Sequence, residues 1–199
     1  EKKKDPGKMK QMGTGRSYTI KELASYSFLL EHFYIVDETT SMTKQDLNGT
    51  KLVTMDLSAK LGKEEPLVLI YHTHGSETYK KVNGKEGSVI EVGTALTKEL
   101  ENVYGIKTVH DKSVYDMVDG QLDRNAAYNF AGDSVEAALR KNPSVKVVID
   151  LHRDSVENNI HLRTKINGKS AAQIMFFNGV SRLASKGDIG YLYNPNKEA

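Results

Sequence analysis

Two short stretches of this chain concentrate the residue types that could do chemistry. One is Tyr71-His72-Thr73-His74-Gly75-Ser76-Glu77, and the other is Ile149-Asp150-Leu151-His152-Arg153-Asp154. Each histidine cluster leaves the end of a mostly apolar run, Leu67 to Tyr71 in the first case and Val145 to Leu151 in the second. Such runs are the mark of strands buried on both faces. Neighbouring parallel strands lie ~4.8 Å apart, so imidazoles from two strand ends can share one metal at nitrogen–metal distances of ~2.0–2.1 Å. The chemistry this suits is metal-assisted hydrolysis, most naturally with Zn2+, which in catalytic sites takes three protein ligands and keeps a fourth position open.

His74 and His152 are the two histidine ligands expected on this reasoning. Glu91 is the candidate third ligand, because it sits in the first turn of the helix that follows the His74 loop, near the carboxyl edge of the sheet. It also lies three residues after Ser88, the spacing of a capping box, in which it would serve the helix instead. His74 alone could be a loop histidine bonded to backbone, and His152 alone a buried neutral histidine; the coincidence of two strand-end clusters favours a metal. His72 is a second candidate in its cluster, since His72 and His74 are two apart and could both reach one ion. His74 is preferred because Gly75 lets the backbone turn tightly beneath it. Glu77 is a candidate outer residue, and Arg153 and Asp154 could orient metal-bound water or a substrate carboxylate or equally form an ion pair that shapes their loop. His32, His110 and His161 lack supporting neighbours and are expected to be structural or exposed.

The elements that must position these residues alternate. A strand at 67–71 is followed by an amphipathic helix from Ser88 to about Tyr104, closed by Gly105. A second strand covers 106–109, a helix runs from Tyr128 to Lys141 with Asn142-Pro143 as its stop, and a third strand covers 145–151. A fourth is expected from Ala171 to Phe177. This order implies an α/β fold with a largely parallel twisted sheet and helices on both faces, whose sites lie beyond the carboxyl ends of the strands. Residues 1–17 read as a flexible basic linker and 18–62 as a small N-terminal appendage, with a helix capped by Thr19 through about His32 and a weak helix start at Thr43 to Asp46. The sheet domain is expected over 63–199.

Composition narrows the function. The 199 residues carry a formal net charge of +2, too little to indicate nucleic acid, and no aromatic stacking platform accompanies the basic N-terminus. The absence of cysteine removes disulfides, thiolate zinc ligands and a cysteine nucleophile. No run of ~18 apolar residues is present, and the chain opens in charged linker-like sequence without Met, as expected of a part of something longer.

The His-Thr-His-Gly-Ser-Glu stretch, Ser88-Val89-Ile90-Glu91-Val92-Gly93 and Ile149-Asp150-Leu151-His152-Arg153-Asp154 together resemble the stage II sporulation protein P family. Its catalytic domain is related to zinc-dependent N-acetylmuramoyl-L-alanine amidases. The resemblance covers about residues 20–199. Matched residue by residue, it implies zinc at His74, Glu91 and His152. It also implies cleavage of peptidoglycan, at the muramoyl–L-alanine amide and at peptide cross-links, during forespore engulfment. The implied setting is extracytoplasmic, between forespore and mother cell, with a membrane anchor upstream and stage II sporulation proteins D and M as partners. The related amidases carry a catalytic glutamate in a late Leu-Val-Glu-Val-Gly-like segment. No such segment occurs here, so the catalytic acid/base is unassigned and the domain is expected to be C-terminally incomplete. The rival readings are another metallohydrolase, such as a phosphoesterase using His72 with His74, and a non-catalytic scaffold that binds cell wall or partner proteins.

Overall fold

The computed structural model describes residues 16–60, 64–80, 84–157 and 160–189. Residues 1–15 of the expected linker and the chain-terminal residues 196–199 lie outside the described residues. The described chain forms two units, one built from residues 59–160 and the other from 16–58 with 161–189.

In the second unit, Thr19 caps helix α1 (Ile20–Leu23) through a full capping box with Glu22. The single helix expected to His32 is two helices. Ser25 adopts an extended conformation, and its hydroxyl caps a new helix, α2 (Tyr26–His32). A serine mid-pattern offers the backbone this alternative to continuing the helix. Thr43 to Asp46 forms a turn rather than a helix, with the Asp46 carboxylate accepting from the Thr43 N–H and hydroxyl at 2.8 and 2.7 Å. Helix α3 (Gly49–Thr54) starts from Asn48. A Cβ at Gly49 would fall 2.3 Å from the Leu23 carbonyl oxygen, so this close approach of α3 to the end of α1 requires glycine.

The sheet unit follows. Its core is a three-stranded parallel sheet of β1 (Val68–Tyr71), β2 (Thr108–His110) and β5 (Val147–Asp150), in the order β2-β1-β5. Val68, Leu69 and Ile70 of central β1 are all buried, as expected for a strand covered on both faces. Val147 and Val148 of β5 remain about half exposed, because β5 is paired on one side only among the described residues. Helix α4 (Val89–Tyr104) packs on β1 and β2, capped at one end by Ser88 and at the other by Gly105 in the left-handed conformation, φ +70°. Between β2 and α5 stands a small hairpin, β3 (Met117–Val118) and β4 (Gln121–Leu122). Its two-residue turn, Asp119-Gly120, has positive φ at both positions, the hairpin geometry that Asp-Gly favours. Helix α5 (Arg124–Lys141) begins four residues before the expected Tyr128, because Asp123 caps it; the Asn142-Pro143 stop is where the pattern places it.

The fourth strand expected at Ala171–Phe177 takes another form. Strand β6 (Arg163–Ile166) pairs antiparallel with β7 (Lys169–Ala172) across Asn167-Gly168, again with positive φ at both turn positions. This local turn draws 169–172 back onto 163–166 and leaves Ile174 to Phe177 outside any strand, with Phe176 93% exposed. A last hairpin, β8 (Arg182–Leu183) with β9 (Gly187–Asp188), closes the second unit. No helix among the described residues is long and apolar enough to cross a membrane.

Arg182 ties the second unit together. Its guanidinium binds both oxygens of Asp46, its Nε donates to Asp188 at 2.6 Å and Nη1 donates to the Ser41 carbonyl at 3.1 Å. The bond from Arg182, aided by those from Thr43, holds the Asp46 carboxyl well below its ordinary pKa. A carboxyl depressed on folding stabilises above its unfolded pKa of about 3.9 and loses that contribution as pH falls through its folded value. Asp46→Asn is therefore expected to destabilise this unit by roughly 1.5–3 kcal/mol at pH 7. In chemical denaturation followed across pH, the gap to the parent should narrow below about pH 4.

Candidate metal centre

The site is built where β1 and β5 end. Tyr71 pairs level with Asp150 in the parallel register, so the loop from His72 to Glu77 leaves the sheet beside the loop from Leu151 to Asp154. The first loop is held at several points. The Thr73 N–H and hydroxyl donate to Asp150 at 2.9 and 2.6 Å. The Ser76 N–H and hydroxyl donate to Asp116 at 3.1 and 2.6 Å, and Asp116 is fully buried. The Arg153 N–H donates to Glu77 Oε2 at 3.1 Å. Gly75 has no positive φ; it is required for space, since a Cβ there would lie 2.9 Å from the Ser113 carbonyl oxygen.

These ties set the buried Glu77 carboxylate between two imidazoles. Glu77 Oε1 lies 3.7 Å from His74 Nδ1, and Oε2 lies 3.7 Å from His152 Nδ1. The two rings stand 5.0 Å apart at 82°. Tyr128 of α5 covers the other side of His74, ring centroids 5.4 Å apart. A tetrahedral ion at ~2.0–2.1 Å from each donor sets donor–donor separations of roughly 3.4 Å, and the donor atoms of His74, Glu77 and His152 all lie within 4.8 Å of one another. His74 Nε2 is buried with no hydrogen-bond partner among the described residues, a costly state for an imidazole nitrogen unless it meets an ion or water. Two nitrogens and one carboxylate are also the donor set zinc favours.

The structure thus brings together His74 and His152. Glu91 is engaged elsewhere: its Oε2 accepts from the Ser88 N–H at 2.8 Å and its own N–H donates to the Ser88 hydroxyl at 3.2 Å, completing the capping box of α4. Glu77, read in the sequence as an outer residue, supplies the carboxylate that faces both imidazoles. Its signal was its place three residues after His74 in the same loop.

His72 takes no part in this group. It is fully buried, with Nδ1 2.9 Å from the Leu151 carbonyl and Nε2 2.9 Å from His110 Nε2. A carbonyl only accepts, so Nδ1 carries the proton, and in the neutral pair His110 donates to His72. Burial, with the neighbouring His72 adding to it, holds the His110 pKa down. His32 bonds the Phe28 carbonyl and stacks on its ring, and His161 is exposed. Asp154 closes its own turn by accepting from Ser155 N–H at 2.7 Å.

Around His152 the electrostatics are shaped by Asp150. The hydrogen bond to Asp150, 2.9 Å from Nε2, raises the His152 pKa against the opposing effect of burial. Burial pushes Asp150 up, but bonds from His152 and Thr73 outweigh it and hold its carboxyl below the ordinary value. Burial, reinforced by the Asp150 charge, pushes the Tyr71 phenol up to about 12.

Fold and site together define an α/β protein with a metal-capable His–Glu–His group at the carboxyl edge of a parallel sheet. The family model of stage II sporulation protein P matches residues 6–191, and the chain belongs to that family. Stage II sporulation protein P of Bacillus subtilis (strain 168) is 28% identical over 127 residues, which cover 58% of this chain and 31% of that protein. The match thus spans about a third of the relative's length. No solved structure matches the chain.

Gly93 of α4 lies against the imidazole pair under the site. A Cβ there would fall 2.6 Å from His110 Nε2 and 2.8 Å from His72 Nε2. Gly93→Ala is expected to cost about 1–3 kcal/mol by overpacking, despite alanine's better helix propensity, and this is measurable as a lowered denaturation midpoint.

Proposed function

We propose that this chain is a zinc-dependent peptidoglycan hydrolase of sporulation, cleaving the N-acetylmuramoyl–L-alanine amide and also peptide cross-links. The observation that carries the reading is the placement of Glu77 between His74 and His152 in a chain of the stage II sporulation protein P family. His74, Glu77 and His152 would hold the ion, which when bound supplies Lewis-acid polarisation of the scissile carbonyl and lowers the pKa of water toward ~7. Arg153, whose N–H fixes Glu77, keeps the acid turned toward the two rings. Because Glu77 serves as a ligand, the proton for the leaving amine comes from another group. The proposed setting is extracytoplasmic, at the engulfing membrane, with an anchor outside this chain and stage II sporulation proteins D and M as partners. A phosphoesterase using His72 beside His74 is disfavoured, since both His72 nitrogens are already engaged.

Metal analysis and release of soluble peptides from purified sacculi test this reading. The parent chain is expected to hold one zinc, and His74→Ala, Glu77→Ala and His152→Ala to lose it along with peptide release. Glu91→Ala should keep the zinc and lose about 1 kcal/mol of stability with its cap. Zinc retained without Glu77 and lost without Glu91 would restore Glu91 as the ligand. A zinc-loaded chain that binds sacculi and releases nothing would favour the scaffold reading.

A further inference from the structure

We infer that Asp150 is a positioning residue of this centre, fixing which nitrogen of His152 is offered to the metal. The inference rests on the reading that His74, Glu77 and His152 hold zinc. Asp150 is the last residue of β5, and His152 follows two residues later in the loop. Asp150 Oδ1 lies 2.9 Å from His152 Nε2 and accepts the Thr73 N–H at 2.9 Å, while Oδ2 accepts the Thr73 hydroxyl at 2.6 Å. The carboxylate is thus held at both oxygens from the neighbouring strand end, and the backbone bond to Oδ1, the oxygen that meets His152, does not depend on the Thr73 side chain.

A carboxylate only accepts, so the nitrogen hydrogen-bonded to it carries the proton. Nε2 of His152 is that nitrogen, and Nδ1 of the neutral ring is left bare. Nδ1 lies 3.7 Å from Glu77, too far for the hydrogen bond that would hold a proton there. Tautomer and ring orientation therefore agree with ligation through Nδ1. Metal-binding histidines commonly donate their other N–H to a carboxylate, which raises their basicity as ligands; removing such a partner costs about 10–100-fold in metal affinity. His74 has no separate acid of this kind, since the carboxylate it faces is Glu77, itself a member of the metal group. The two imidazoles are therefore not equivalent, and His152 is the one held in advance.

The test compares Asp150→Ala with Thr73→Val in the purified chain. Zinc affinity is measured by chelator competition, the His152 tautomer by nitrogen-15 chemical shifts of the metal-free protein, and folding by thermal denaturation. Asp150→Ala is expected to weaken zinc about 10–100-fold and to convert His152 from the Nε2–H form to a mixture of tautomers. Thr73→Val perturbs the same bridge between strands but keeps the Asp150–His152 bond, so zinc affinity and tautomer should stay close to the parent. Unchanged affinity or an unchanged tautomer in Asp150→Ala overturns the inference, as does an equal loss in Thr73→Val, which would mark a merely structural bridge. A parent chain that binds no zinc sinks the metal reading itself, and the tautomer measurement then still decides what Asp150 does to His152.

Discussion

The parallel pairing of β1 with β5, which sets Tyr71 level with Asp150, is the constraint on which the rest of the site depends. Because the two strands end at the same height, their loops can exchange bonds directly. The Leu151 N–H donates to the Tyr71 carbonyl, Thr73 reaches Asp150, His72 reaches the Leu151 carbonyl, and Arg153 reaches Glu77. A slip of one residue in this register would turn Asp150 and His152 to the opposite face. Burial of Val68, Leu69 and Ile70 opposes such a slip, so the core of β1 and the geometry of the centre are specified by the same pairing.

Much of this was legible in the sequence. The apolar run at 67–71, the capped helix at 88–105 and the strand before His152 each carry strong local signals, and the structure places them as the pattern says. Strand ends alone pointed to His74 and His152, which the structure brings together. What the pattern could not resolve was which carboxylate faces them. Glu91 has two compatible environments, a cap and a site, and spacing cannot weigh one against the other; the hydrogen bonds to Ser88 can. Asp150 and Asp116 owe their roles to bonds with residues distant in sequence, which no local pattern encodes. Asp119-Gly120 and Asn167-Gly168 carry a hairpin signal of their own, and the second redirects the residues expected to form a fourth strand.

Three carboxylates lie close to the two loops, and each is satisfied by different donors. Asp116 serves Ser76, Asp150 serves Thr73 and His152, and Glu77 serves the Arg153 N–H while facing the imidazoles. Charge withdrawn from water is costly unless it is hydrogen-bonded, and here the bonds that stabilise each acid also fix a loop residue. The loop is therefore ordered by the same interactions that make its acids tolerable, before any ligand arrives.

The close fit of Gly93 against His72 and His110 also bears on how this sequence can change over time. The three positions share one volume, so their substitutions are coupled and their effects will not add. A side chain can enter at 93 only after space is released elsewhere. Shrinking His72 would leave the Leu151 carbonyl without its donor, and shrinking His110 would leave the buried His72 Nε2 without the N–H it accepts. Either first step leaves a buried polar atom unpaired, so the order of steps, rather than the final combination alone, decides which descendants of this sequence can fold.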